Sequence, residues 1–128
     1  MAPPPIRGLD HVVLAARDMA AMLAFYEGVL GCPLERKLDG IGLHQLRAGG
    51  QLIDLIPADA PAVRAARNMD HFCLRLDTWD EPALRAHLAA HGVAAGPTER
   101  RYGAEGDGPS IYIEDPEGNV VELKGPPD

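Results

Sequence analysis

The sequence predicts an α+β fold of two tandem βαβββ modules related by a pseudo-twofold axis. Three observations carry that expectation. A strand-like motif returns 60 residues later, a capping aspartate and a stopping glycine frame one helix in each half, and a glycine turn precedes a carboxylate at a matching position in each half. Side by side, the modules would give a curved, partly closed eight-stranded mixed sheet around a metal cleft, with the helices outside. Internal repeats of this kind govern the whole fold assignment.

The first module begins with Leu9-Asp10-His11-Val12-Val13-Leu14, an apolar run with branched side chains that reads as a strand, and it returns as Met69-Asp70-His71-Phe72-Cys73-Leu74. Asp18 then caps a helix in which Met19, Met22, Leu23, Tyr26 and Leu30 fall at helical spacing, until Gly31 and Pro33 end it. In the second module Asp80 is the cap, Pro82 stands early in the helix, Leu84 and Leu88 keep the period, and Gly92 is the stop. Strand-like segments follow each helix: 34–38, 42–47 and 51–56 in the first half, 93–101, 110–114 and 119–124 in the second. Gly49-Gly50 and Asp115-Pro116-Glu117-Gly118-Asn119 are the turn signals between the last two strands of each half. The whole is read as a single domain, 1–128, with modules at about 8–57 and 69–125, a linker at 58–68, and tails at 1–7 and 125–128.

Chain length and composition agree with one soluble domain. The 128 residues are 46% hydrophobic and 24% charged, which permits a core. Twelve basic against 19 acidic residues give a net charge of −7, with no basic run beyond Arg100-Arg101, so nucleic acid is not an expected partner. No apolar stretch approaches the roughly 20 residues that span a bilayer. The start of the chain lacks the pattern of a secretory signal, and cytoplasmic residence is the expectation. Cys32 and Cys73 are read as free thiols.

The repeat also locates the chemistry. His11 and His71 are equivalent, and so are Asp54 and Glu122, each four residues beyond its turn glycine; a pseudo-twofold axis would bring all four toward one centre. Alternation along the strands sets their neighbours. With His11 toward a cavity, Val12 and Leu14 face the helix; with His71 there, Cys73 and Arg75 share its face while Phe72, Leu74 and Leu76 pack beneath the helix. A simple hairpin about Gly49-Gly50 pairs Arg47 with Leu52 and sets Gln45 across from Asp54, on the cavity face. Gln45, Arg47, Cys73 and Arg75 are therefore candidate substrate contacts, and His44 is a packing or rim residue.

Paired modules that each open with Asp-His, together with Asp115-Pro116-Glu117-Gly118-Asn119-Val120-Val121-Glu122-Leu123 near the end, resemble the vicinal oxygen chelate superfamily over roughly residues 8 to 125. That superfamily includes glyoxalase I, fosfomycin-resistance enzymes, methylmalonyl-CoA epimerase, extradiol dioxygenases and bleomycin-resistance proteins. The resemblance implies that His11, His71 and Glu122 are metal ligands. Asp54 stands where glyoxalase I has a longer glutamate, so it either ligates or holds a metal-bound water. One divalent ion, Zn, Ni, Mn, Co or Fe, suits such a set. Open coordination positions would let two neighbouring oxygens of a small substrate chelate, with the ion offsetting the charge of an enediolate-type intermediate.

The function so implied is a divalent-metal-dependent lyase or isomerase of glyoxalase type, with Glu122 shuttling the proton and Asp54 as its symmetric partner. An Fe(II) extradiol ring-cleaving dioxygenase is the first alternative, since two histidines and a carboxylate also serve non-haem iron. A non-enzymatic, drug-sequestering protein of bleomycin-resistance type is the second. A homodimer is expected. Arg47 or Arg75 could grip a substrate carboxylate or phosphate. Elsewhere the bland readings prevail: His87 and His91 as exposed helix residues, Cys73 as a small buried side chain, Tyr102, Tyr112 and Trp79 as packing, and Met19, Met22 and Met69 as core or helix-interface filling. Residues 100–108 read as a loop, either an ordinary surface loop or a mobile cover for the pocket.

Overall fold

The structure, a computed structural model, describes residues 3, 5–60 and 66–128. Part of the expected linker (61–65) and of the N-terminal tail (1, 2 and 4) lies outside the described residues. The chain divides into two compact units, Met1–Ala60 and Pro61–Asp128.

In the first unit the strands are β1 (His11–Ala16), β2 (Leu34–Leu38), β3 (Leu43–Ala48) and β4 (Gln51–Pro57), in the sheet order β1-β4-β3-β2. In the second they are β5 (His71–Arg75), β6 (Glu99–Gly103), β7 (Gly106–Glu114) and β8 (Val120–Lys124), in the order β5-β8-β7-β6. Opening and closing strands of each unit run parallel, and the remaining pairs are antiparallel. Among the described residues the eight strands thus hydrogen-bond as two four-stranded mixed sheets of identical topology. The repeat in the sequence is a repeat in the backbone.

Each helix starts where its aspartate can accept an orphan N–H. Asp18 Oδ1 takes the Ala21 amide at 3.0 Å and Asp80 Oδ1 takes that of Ala83 at 3.1 Å. The second helix, α2 (Glu81–Ala90), then runs as expected, with Pro82 in its first turn and Leu88 buried at 1% exposure. The first differs. Only α1 (Met19–Leu23) is α-helical, and Ala24–Val29 continues as a π-helix whose wider turn is closed by Leu30 N–H to Phe25 O at 3.0 Å. With the turn widened, the consecutive Phe25 and Tyr26 are both buried, edge to face at 4.9 Å. Alternate strand residues complete each core: Leu14, Ala16, Leu46, Ile53 and Leu55 in the first unit, Ile111, Ile113, Val121 and Leu123 in the second. Burying such a side chain contributes about 1.5–3 kcal/mol.

Several expectations are corrected here. Residues 100–108 are a hairpin, not a loop: β6 and β7 pair Tyr102 with Asp107 and Gly103 with Gly106 across a two-residue turn at Ala104-Glu105. Glycines and charges, read as loop composition, are here the small and polar residues of a tight turn. Residues 93–98 are irregular, so the strand begins only at Glu99. The expected tail at 125–128 is tied to β7, with Gly125 N–H donating to Pro109 O at 2.8 Å and Asp128 N–H to Asp107 O at 3.0 Å. Met69 is 46% exposed and is no core residue; Met22 is fully buried.

Candidate functional site

The strand alternation that buries the core also decides which polar side chains leave it. In the first unit the register is Gln45 opposite Asp54 and Arg47 opposite Leu52, as the two-glycine hairpin predicts. Ile53 and Leu55 are buried on one face, and Asp54 between them points the other way. Gln45 Nε2 donates to Asp54 Oδ2 at 3.2 Å, while Asp54 Oδ1 is buried without a hydrogen-bond partner. Leaving a buried polar atom unpaired costs about 1–3 kcal/mol, so this oxygen invites a cation or a donor. His11, on β1, is more open, and its Nδ1 meets Asp10 Oδ2 at 2.7 Å. That hydrogen bond, more than the charge of Asp54, lifts the His11 pKa above its ordinary value.

Arg47 is not free to grip a substrate. Its Nε and Nη2 hold both oxygens of Glu35, at 3.0 and 2.7 Å, and the guanidinium in turn lowers the Glu35 pKa below the usual carboxylate range. His44 is a half-buried rim residue whose Nδ1 lies 3.1 Å from Gly42 O.

The second unit brings its pair closer together. His71 Nδ1 lies 2.7 Å from Asp70 Oδ1, repeating the arrangement of His11, while His71 Nε2 lies 3.2 Å from Glu122 Oε1. Glu122 is 5% exposed, with Val121 and Leu123 buried on the opposite face. Tyr112, across from Glu122 on β7, packs edge-on against the His71 ring at 5.2 Å and carries the Arg101 guanidinium 4.3 Å over its own ring. Cys73, Arg75, Glu122 and Lys124 share the wall of a cavity of about 220 Å³ with the turn of the β6–β7 hairpin.

The donor set fits a divalent ion. In the neutral ring, a histidine that donates its Nδ1–H to an aspartate presents an unprotonated Nε2, and the aspartate fixes both tautomer and ring orientation. With the proton on Nδ1, His71 Nε2 and Glu122 Oε1, 3.2 Å apart, both present lone pairs to a shared ion. Two such acceptors are held together by a cation; ligand atoms about 2.0–2.1 Å from a tetrahedral ion lie about 3.3 Å apart. Among the described residues no group of three or more His, Cys, Asp and Glu side chains is placed to hold an ion. In the second unit His71 and Glu122 form a pair, and in the first Asp54 acts on His11 through its charge alone.

Three expectations need correction. Cys73 is exposed on the cavity wall, not a buried apolar residue. Its sulfur nonetheless sits against Glu122, and desolvation first, then that carboxylate, push the thiol up to about 11, so it stays protonated at neutral pH and is no ready nucleophile. Tyr102 is 82% exposed at the cavity mouth and packs little. Arg75 lines the cavity but is paired with Glu105. His87 and His91 are exposed on α2, with ring centres 4.7 Å apart.

A family model described as Glyoxalase/Bleomycin resistance protein/Dioxygenase superfamily matches residues 8–123. The chain belongs to this superfamily. Virulence protein STM3117 of Salmonella typhimurium is 31% identical over 121 residues, covering 90% of this chain and 81% of that protein. Its crystal structure matches with a TM-score of 0.77 over 94% of this chain and 98% of the other. The lactoylglutathione lyase structure from Agrobacterium tumefaciens matches at TM-score 0.69 and 26% identity, over 95% of this chain and 96% of that one. Catechol-2,3-dioxygenase of Bacillus subtilis is 27% identical over 90% of this chain, which spans 40% of that protein's length. Superfamily membership thus covers a lyase and a dioxygenase, and fold alone does not choose between them. Among the described residues no helix is long and apolar enough to cross a membrane.

Proposed function

We propose that this protein is a divalent-metal-dependent lyase or isomerase of glyoxalase type, acting on a small substrate through two neighbouring oxygens. The observation that carries this reading is His71 Nε2 facing Glu122 Oε1 at 3.2 Å while His71 Nδ1 is held by Asp70. The unpartnered Asp54 Oδ1 supports it from the other unit. The sequence repeat is the warrant for assigning His11 and Asp54 to the same centre as His71 and Glu122. The bound ion would polarise the substrate oxygens and stabilise charge that develops on them.

The chain's own residues supply orientation and proton movement. Asp10 and Asp70 hold the two imidazoles with Nε2 outward. Glu122 accepts a proton at its carboxylate from the carbon beside the substrate carbonyl and returns it to the neighbouring carbon, the step of an isomerase or of an internal redox lyase. Asp54 is its counterpart, oriented by Gln45. The similarity to a lactoylglutathione lyase favours this chemistry over ring cleavage. The catechol dioxygenase relative supports a second reading, in which Fe(II) replaces the redox-inactive ion; oxygen uptake with catechol in iron-loaded protein would favour it.

Elemental analysis of purified wild type beside His71→Ala and Glu122→Gln tests the centre. Wild type is expected to carry one divalent ion per chain and both variants to lose it. Full metal content in either variant would overturn the assignment.

A further inference from the structure

The chain has two lysines, and they live in opposite surroundings. Lys37 is exposed on β2 and pairs with Asp39 at 3.2 Å. Lys124 is 7% exposed and stands on β8 two residues beyond Glu122, on the same face. Its ammonium donates to the carbonyl oxygens of Arg101 at 2.5 Å and Gly108 at 3.2 Å. An ammonium has three N–H donors, so these two bonds leave one over. Among the described residues no carboxylate pairs with it. A buried charge without a counter-ion is costly, and such groups persist where they are used.

The position is built. A Cβ at Gly103 would lie 2.7 Å from Lys124 Cε, and one at Gly108 would lie 3.3 Å from its Nζ. The side chain therefore occupies a slot that the glycine at 103 on β6 leaves open, while the glycine at 108 also makes room for the Pro126 carbonyl, 2.7 Å from where a Cβ would lie. Lys124 also lines the cavity of about 220 Å³ that Glu122 lines. The other cation of that wall, Arg75, is already neutralised by Glu105.

We propose that Lys124 binds an anionic group of the substrate, a carboxylate, and so restricts the site to small oxygenated acids. This rests on the reading of His71 and Glu122 as metal ligands. Side chains two apart on one face of a strand stand about 7 Å apart, so the carboxylate belongs two or three bonds beyond the chelating oxygens. By proportion to the ~150 Å³ cavity that accepts benzene, the space accommodates roughly nine non-hydrogen atoms.

Two bidentate oxygen chelators of matched length separate the possibilities: succinic acid monohydroxamate, with the carboxylate, and butyrohydroxamate, without it. Titration calorimetry on the zinc-loaded full chain should show wild type preferring the acid at least tenfold. In Lys124→Met, which keeps the bulk of the stem, that ratio should fall to about one. Gly103→Ala, which displaces the ammonium and keeps its charge, should also reduce it, and circular dichroism identifies a variant that has not folded. An unchanged ratio in both folded variants, or no preference in wild type, overturns the proposal. Failure of butyrohydroxamate to bind wild type counts against the metal centre instead. The lysine assignment is then decided by the Cε resonance of Lys124 during titration with succinate, with Lys37 as internal control: a selective shift supports it, and no shift ends it.

Discussion

The two units share one backbone plan and solve its details differently. Both place an Asp-His pair at the start of the first strand and a carboxylate at the middle of the last. In the second unit His71 and Glu122 meet at 3.2 Å beside a cavity, whereas no hydrogen bond or ion pair joins His11 to Asp54. In the first unit Gln45 holds one oxygen of Asp54 and leaves the other unpartnered, and Glu35 holds Arg47. The difference teaches that a duplicated fold keeps the positions of its functional groups while dividing their work. The second half sets its histidine and carboxylate beside a pocket, and in the first half the corresponding two are not joined.

The turns that set each last strand differ in the same way, and breaking them should produce the largest effect. Between β7 and β8 the Asp115 carboxylate, itself buried, accepts from the Glu117 and Asn119 amides at 2.9 and 2.8 Å and from Asn119 Nδ2 at 2.8 Å. Between β3 and β4 the turn is Gly49-Gly50, with Gly49 at φ +61° and no side chain involved. Hydrogen bonds to charged groups contribute about 1.5–3 kcal/mol each, with incomplete additivity, so Asp115→Ala should cost about 3 kcal/mol in urea unfolding. Gly49→Ala should cost only about 1 kcal/mol, the strain of one left-handed residue. Equal losses would show that the two turns are energetically interchangeable.

The carboxylates give a smaller and more discriminating test. Asp54→Leu removes the orphaned Oδ1, so protein stripped of metal by chelation should gain about 1 kcal/mol. The same variant should lose the rise in Tm that a divalent ion produces in wild type. A variant less stable than wild type without metal would show that Asp54 serves the fold of the first unit more than its chemistry.

Most of the architecture was legible because it follows from periodicity. The Asp-His motifs, the two capping aspartates and the Gly49-Gly50 hairpin are local signals, and the register they predict, Gln45 opposite Asp54, is the register observed. What escaped depends on distant partners. Residues 100–108 read as a loop because glycines and charges dominate, yet their strand character comes from pairing within a hairpin whose turn is two residues long. The π-helical half of the first helix follows from burying adjacent aromatic rings, which a regular 3.6-residue period does not foresee. Arg47 and Arg75 were visible as cavity-face cations, but Glu35 and Glu105 lie 12 and 30 positions away from them, so their neutralisation was not. In the sequence Lys124 is masked by its position two places past a stronger candidate, Glu122. The signal that could have found it was a lone cation on the ligand face of a strand, opposite a glycine-rich hairpin.

The pair that closes off Arg47 supplies the smallest and most specific expectation. Guanidinium hydrogen bonds lower the Glu35 pKa below the usual carboxylate range, with partial desolvation opposing them. A carboxylate depressed in the folded state stabilises it above the unfolded-state pKa, and that contribution disappears as pH falls through the lower folded value. The window therefore lies below the ordinary carboxylate range. Both side chains are well exposed, at 38% and 46%, so solvent screening keeps the effect on stability slight. It is best read by NMR: the Glu35 carboxyl carbon should titrate below the ordinary carboxylate range, and in Arg47→Ala it should return toward that range. Because Arg47 is then absent, affinity for an anionic chelator should stay within about twofold of wild type, whereas the corresponding loss at Lys124 is at least tenfold. If removing Arg47 weakened anion binding as strongly as removing Lys124, the division of labour between the two units would be wrong, and the arginine would have to leave Glu35 to meet the ligand.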